Sequence, residues 1–270
     1  MITVESLHIY PVKSCRGIDV EEAEVVATGF RHDREWMVID QRGVFLSQRE
    51  HPSLARVTTR LDPVRLTLHA PDLPPLTIPL DRSTGECRPV TIWNDTCEAK
   101  SEGIEAAQWF SAHLATACQL VRLPGSSTRS VDPDFSGSED LVAFADGFPF
   151  LLINRASVED LNHRLESPIP ADRFRANIII AGADPYTEDG WSELEIGSVG
   201  FRAAKPCARC VVITTDQHDG SRGVEPLATL AGYRRRGTKV LFGQNLVHRS
   251  TGTLRVGAAV RVLTQQKAPR

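Results

Sequence analysis

Hydrophobic and polar residues alternate in short stretches through the first hundred positions. Val64, Leu66 and Leu68 alternate with Arg65, Thr67 and His69, a period of two that marks a strand with one buried face. LTIPL and PVTIW repeat the pattern nearby. REWMVID and GVFLSQ read as two strands joined at the turn Asp40-Gln41-Arg42-Gly43, a hairpin signal. The period becomes helical in EGIEAAQWFSAHLATA, from about 102 to 117, where Ile104, Ala107, Phe110 and Leu114 share a face. Glu102 and Glu105 sit in its first turn, where the helix dipole favours acids. LVRL returns to strand.

From Gly125 to Asp140 the chain is polar and rich in Ser, Gly and Pro, which predicts a linker or long surface loop. Beyond it, LVAFA reads as a strand, Asp146-Gly147 as a turn and FPFLLI as a buried strand. Ser157 and Asp160 are spaced as a capping box, which starts a helix at Ser157. NIIIAG is a buried strand, ELEIGSVGFRA a hairpin turning at Gly197-Ser198, and CVVITT a β-branched strand. EPLATLAGYRRRG is a helix with Pro226 at its start and Gly237 past its end. KVLFGQNLVH and GTLRVGAAVRVLT close the chain as strands. Many short strands and few helices predict a mainly β, α+β protein whose strands close into barrels. The absence of strict strand–helix alternation argues against a doubly wound sheet.

Composition narrows the function classes. At 270 residues the chain holds one large domain or two ordinary ones. Hydrophobic residues at 41% and charged residues at 24% describe a soluble globular protein. A net charge of -3 gives no reason to expect nucleic acid. No apolar run approaches membrane-spanning length, and the N-terminus lacks a signal-peptide pattern. The six cysteines are scattered, which fits reduced thiols in a cytoplasmic protein without membrane attachment. No GxGxxG or GxxxxGK[ST] loop is present.

Candidate chemistry centres on Lys205-Pro206-Cys207-Ala208-Arg209-Cys210. Two cysteines three apart suggest half of a zinc site, but a closed site needs four ligands and no second pair follows. A thioredoxin-like pair needs its cysteines at a helix N-terminus. Two buried thiols acting as small hydrophobes remain an ordinary alternative. Lys205 and Arg209 add weight to chemistry, because cations beside thiols favour the metal-binding thiolate. Lys13 and Ser14, in the turn after the first strand, could hold a phosphate or belong to a solvated turn. Arg34 has a bland reading as a surface cation. Arg173 and Arg175 precede a buried strand, where an Arg calls for an anionic partner, and Asn177 there needs hydrogen bonds.

Taken in order, YPVKSCRG, HDREWMVID, DGFPFLLINRASVEDLN, RFRANIIIAG, CARCVVITTD and LFGQN resemble the MOSC superfamily. They resemble more closely its group of mitochondrial amidoxime-reducing components and bacterial relatives. The resemblance implies an N-terminal β-barrel-like domain over 1–124 and a MOSC β-barrel over 125–270. It implies a molybdenum cofactor (Mo-molybdopterin), with Cys210, the second cysteine of CARC, as metal ligand and catalytic residue. Cofactor contacts then fall on Lys13, Ser14, Arg34, Asp146, Arg175, Asn177 and Arg209. Gly147 and Phe148 replace hydroxyl residues that relatives often carry there. The implied activity is reduction of N-hydroxylated compounds (amidoximes, hydroxylamines, N-hydroxylated bases) to amines or amidines. The alternative is a cofactor or sulfur carrier without small-molecule turnover. The four-cysteine iron–sulfur pattern is absent. Electrons are therefore expected from a separate ferredoxin-, flavoprotein- or cytochrome-type protein.

Overall fold

The computed structural model describes residues 1–81, 85–126, 129–135, 137 and 139–265. These residues are mostly strands, with three helices, α1 (Ile104–Leu114), α2 (Arg155–Asn162) and α3 (Leu227–Tyr233). The largest sheet runs in the order Val260–Gln265, Trp191–Ile196, Val199–Arg209, Lys239–His248, Phe150–Asn154, Ile178–Ala181 and Thr3–Ile9. It closes on itself: Val260 N donates to Ile2 O at 2.9 Å, and Val4 N to Ala258 O at 2.9 Å. Closure removes the free edges that an open sheet would expose. The first strand of the chain is thus a stave of a barrel built otherwise from residues beyond 149, so the two expected domains share a sheet. Phe30, Phe150, Leu152, Ile178, Leu194 and Phe201 fill its centre.

Gly243 lies where Lys239–His248 crosses Phe150–Asn154. Its φ is +79°, and a Cβ there would meet Leu152 O at 2.8 Å. Only glycine fits this crossing.

The N-terminal half adds a four-stranded sheet in the order Trp36–Asp40, Cys118–Arg122, Asp95–Ser101, Cys87–Ile92, and a three-stranded sheet of Thr58–Leu61, Arg65–His69 and Leu76–Pro79. Leu66, Leu68, Trp36, Val38 and Leu120 form one core with Trp109 and Phe110 of α1. The alternation in VRLTLH therefore sends its leucines inward.

Several local readings differ from the structure. α1 buries Ala106, Trp109, Phe110 and Leu114, while Ile104 is 74% exposed. α2 starts before Ser157, capped by Asn154, whose side chain accepts from Ala156 N. The Ser157 hydroxyl instead donates to Glu188 at 2.8 Å. GVFLSQ keeps only isolated bridges beyond the turn, where Gly43 has φ +85°. LVAFA is not a strand: Phe144 N donates to Arg34 O at 2.9 Å, and buried Arg129 satisfies the Ala143 and Ala145 carbonyls at 2.7 Å each. CVVITT is a 3-10 turn, Val211–Thr214, with Cys210 at its N-cap. α3 ends at Tyr233, and Arg235–Arg236 pairs with Lys239–His248 as a short strand. In the predicted linker, residues 127, 128, 136 and 138 lie outside the described residues.

Candidate functional site

Seven chain segments meet at one cavity between the N-terminal core and the barrel. Lys13, Ser14, Arg34, Asp146, Arg175, Asn177, Arg209 and Cys210 all line it. These are the eight residues the sequence singled out, from places as distant as 13 and 210. The cavity also receives Arg49, Cys207 and Phe148.

The turn after Thr3–Ile9 brings in Lys13 and Ser14. Lys13 N donates to Trp36 O at 2.8 Å, which fixes the turn against the strand Trp36–Asp40. Its ammonium donates to Phe144 O at 2.7 Å and to the Asp146 carboxylate. Lys13 is 5% exposed. Burial pulls its pKa down to about 8, only partly offset by Asp146. The protein around Asp146 opposes ionisation, but Lys13 and Arg49 more than reverse this and hold its carboxyl well below the usual range.

Ser14, Arg34 and Arg175 have φ values of 68°, 49° and 55°. A left-handed backbone costs a non-glycine residue about 1 kcal/mol. Three such residues on one cavity are a local concentration of strain of the kind found at functional sites. At Arg175 the conformation ends the 3-10 turn Ala171–Phe174 and redirects the chain into Ile178–Ala181.

The two arginines share one platform. The Arg34 and Arg175 guanidinium carbons lie 4.1 and 4.4 Å from the Tyr10 ring centroid, within cation–π range. Arg34 donates to both oxygens of Asp33, to Asn177 Oδ1 at 3.0 Å and to Arg175 O at 3.0 Å. Asn177 Nδ2 donates to His8 O at 3.2 Å, so this amide holds Arg34 in place as well as lining the cavity. Burial drives the Tyr10 hydroxyl up to about 12 and pulls the Arg175 guanidinium down to about 10.

Cys210 is delivered by the end of Val199–Arg209. Cys207 lies within that strand and Cys210 just past its end, and the two sulfurs meet different partners, Arg209 and Arg49. Cys207 and Cys210 are therefore not placed as a redox pair. All six cysteines are free. Among the described residues no three His, Cys, Asp or Glu side chains gather to hold a bare metal ion. A metal at Cys210 needs further donors from a bound molecule.

The cations flanking CARC are arranged differently from their sequence order. Arg209 donates to Cys207 Sγ at 3.0 Å and to Phe174 O at 2.8 Å. Lys205 turns away to the Phe135 ring at 4.0 Å. The cation at Cys210 is Arg49, whose Nη2 donates to Cys210 Sγ at 3.3 Å and to Asp146 Oδ2 at 3.2 Å. Trp93 stacks on its guanidinium at 4.4 Å. Sequence reasoning missed Arg49, Tyr10 and Asp33 as members of the site. Nothing local marks Arg49, which stands in a loop and meets its partners only through the fold.

Five cationic side chains, Lys13, Arg34, Arg49, Arg175 and Arg209, thus meet two carboxylates, Asp33 and Asp146. The Arg209 Nε is buried without a partner. Such a wall suits an anionic ligand held by charge-assisted hydrogen bonds, and the Cys210 sulfur offers a soft metal donor beside it. A phosphate-bearing pterin with a sulfur-bound metal fits these residues.

The MOSC N-terminal beta barrel domain family matches residues 1–117, and the MOSC domain family matches residues 139–261. The chain is 37% identical to mitochondrial amidoxime-reducing component 1 of Mus musculus over 97% of its own length and 83% of that protein. The Homo sapiens protein of the same name gives the same identity and coverage, 37%, 97% and 83%. A molybdenum cofactor sulfurase of Oryza sativa subsp. japonica is 34% identical over 90% of this chain but only 32% of its own length.

Proposed function

The chain belongs to the MOSC family, with a MOSC N-terminal β-barrel domain ahead of the MOSC domain, and on that premise we propose that it is a molybdenum-cofactor-dependent reductase of N-hydroxylated compounds. One observation carries this reading: a soft thiol, Cys210, opens into a cavity whose cations outnumber its carboxylates. Relatives named for amidoxime reduction support the substrate class.

In this reading Lys13, Ser14, Arg34, Arg175, Asn177 and Arg209 hold the anionic pterin, and Cys210 ligates the metal. The bound cofactor supplies a metal that changes oxidation state by two electrons. The chain's own residues set the surroundings. Arg49 donates a hydrogen bond to the Cys210 sulfur and keeps Asp146 fixed. Asp146, held ionised by Lys13 and Arg49, is an acceptor rather than an acid. Lys13 Nζ, with a pKa lowered by burial to about 8, stays protonated at neutral pH and donates to Phe144 O and Asp146. The reaction breaks the N–O bond and consumes two electrons and two protons, leaving the amine or amidine and water.

The test is turnover of benzamidoxime to benzamidine by molybdenum-loaded protein with reduced methyl viologen as donor. Loaded protein that turns over no N-hydroxylated compound would remove the reductase reading. The likeness to a cofactor sulfurase favours a second reading, a cofactor or sulfur carrier. That reading predicts a persulfide on Cys210 and no turnover.

A further inference from the structure

The reductase reading requires electrons from outside the cavity, and we propose that the basic turn formed by Arg235, Arg236 and Lys239 is the docking surface for a small one-electron carrier with an acidic face. The proposal rests on that reading for its purpose, but its test is separable from it.

Geometry places this turn beside Cys210. Arg235 pairs with Val240 and Arg236 with Lys239, a hairpin whose tip contains Gly237 at φ 56°. The same strand pairs on its other edge with the end of Val199–Arg209, Val240 opposite Arg209 and Leu241 opposite Ala208. Cys210 is the next residue. The basic hairpin is therefore two strand spacings, roughly 10 Å, from the strand end that delivers the proposed metal ligand. Ala208, between the two cysteines, is exposed and lines the cavity.

Charge distinguishes the turn. Arg235, Arg236 and Lys239 are all exposed. Among the described residues none of them has a carboxylate within 4.0 Å. Several exposed arginines elsewhere are neutralised, Arg31 by Glu24, Arg65 by Asp62, Arg255 by Glu22 and Arg261 by Glu195, while Arg56, Arg60 and Arg222 are exposed without an ion pair but are not adjacent to one another in the chain. Arg234, the remaining cation of the run, turns inward to Asp189 at 2.6 Å. Three unneutralised cations on one turn, in a chain of net charge -3, make a local positive field. Such a field steers an acidic partner and speeds encounter without tight binding, and carriers that must leave after each electron use small, transient contacts. Two reduced carriers, each losing one electron, balance each N–O bond cleaved.

The experiment compares wild type with the combined variant Arg235→Glu, Arg236→Glu, Lys239→Glu, and with the corresponding Gln triple variant. Binding of cytochrome b5 and of a plant-type ferredoxin, both acidic carriers, is measured by titration at about 50 mM and about 300 mM salt, where the screening length differs by a little over twofold. We expect wild type to bind at least one of them at low salt. The Gln variant should weaken binding severalfold, and the Glu variant and high salt should each weaken it by at least about tenfold. Turnover driven by methyl viologen, which needs no docking, should stay within about twofold of wild type in both variants. Equal binding by the Glu variant would overturn the proposal, as would failure of wild type to bind either carrier. Binding by wild type to phosphatidylserine vesicles but to neither carrier would also overturn it. A binding loss in protein that shows no methyl viologen turnover keeps the dock and removes the reductase.

Discussion

Arg49 and Cys210 are separated by 161 positions, yet the Arg49 guanidinium donates to Cys210 Sγ at 3.3 Å. The same nitrogen reaches Asp146, so one arginine ties the proposed metal ligand to the carboxylate that binds Lys13.

Arg49→Ala should therefore lower kcat/KM for an N-hydroxylated substrate by on the order of ten- to a hundredfold, the size of one or two lost hydrogen bonds to charged groups. Arg49→Lys should recover only part of this, because an ammonium lacks the planar guanidinium that stacks on the Trp93 ring and is held in place by it. Steady-state kinetics with methyl viologen as donor checks it. An Arg49→Ala enzyme with unchanged kcat/KM would show that the contact has no part in the chemistry.

Lys13 gives a pH signature. Its pKa is lowered by burial from the ordinary 10.5 to about 8. Cofactor affinity should be full below pH 8 and fall above it by at most about tenfold per unit. In the cofactor-free protein the sign is opposite. Between about 8 and 10.5 the unfolded chain keeps a proton that native Lys13 has released, so its contribution makes stability rise with pH. Lys13→Met should abolish both slopes. Pterin fluorescence titrations and denaturation midpoints across pH 7–11 measure them.

Tyr10 should matter through its ring. Tyr10→Phe keeps the face on which Arg34 and Arg175 stack and loses only the bond to Ala176 O at 3.1 Å. Tyr10→Leu removes the platform, and cofactor affinity should fall by about 1–2 kcal/mol more than in the Phe variant. Equal affinities in the two variants would assign Tyr10 to packing alone.

Gly243→Ala should destabilise the barrel by about 3 kcal/mol, from a close contact with Leu152 O and a left-handed backbone. A thermal denaturation curve decides it, and an unchanged midpoint would show that the crossing relaxes.

The strands were legible where one face is buried, as at Leu66 and Leu68, because a period of two is written directly in the residues. LVAFA and CVVITT misled because β-branched and apolar composition records burial rather than backbone partners. Around Ala143 the partner is the Arg129 guanidinium, and after Cys210 the chain must turn into the cavity wall. Neither is a local property. The cavity-lining residues were found through the order of motifs along the chain. Spacing alone left Lys13 in a solvated turn and Arg34 on the surface. Arg49 escaped both routes, since only the closed fold brings it to Cys210.

The central claim is that Cys210 binds a molybdenum held by a pterin in this cavity. Molybdenum-edge X-ray absorption on loaded protein tests it most directly. Wild type should show sulfur neighbours from both the pterin and one thiolate, Cys210→Ser should lose one sulfur while keeping the rest, and Cys207→Ser should match wild type. An unchanged sulfur count in Cys210→Ser, or a sulfur lost in Cys207→Ser instead, would contradict the account.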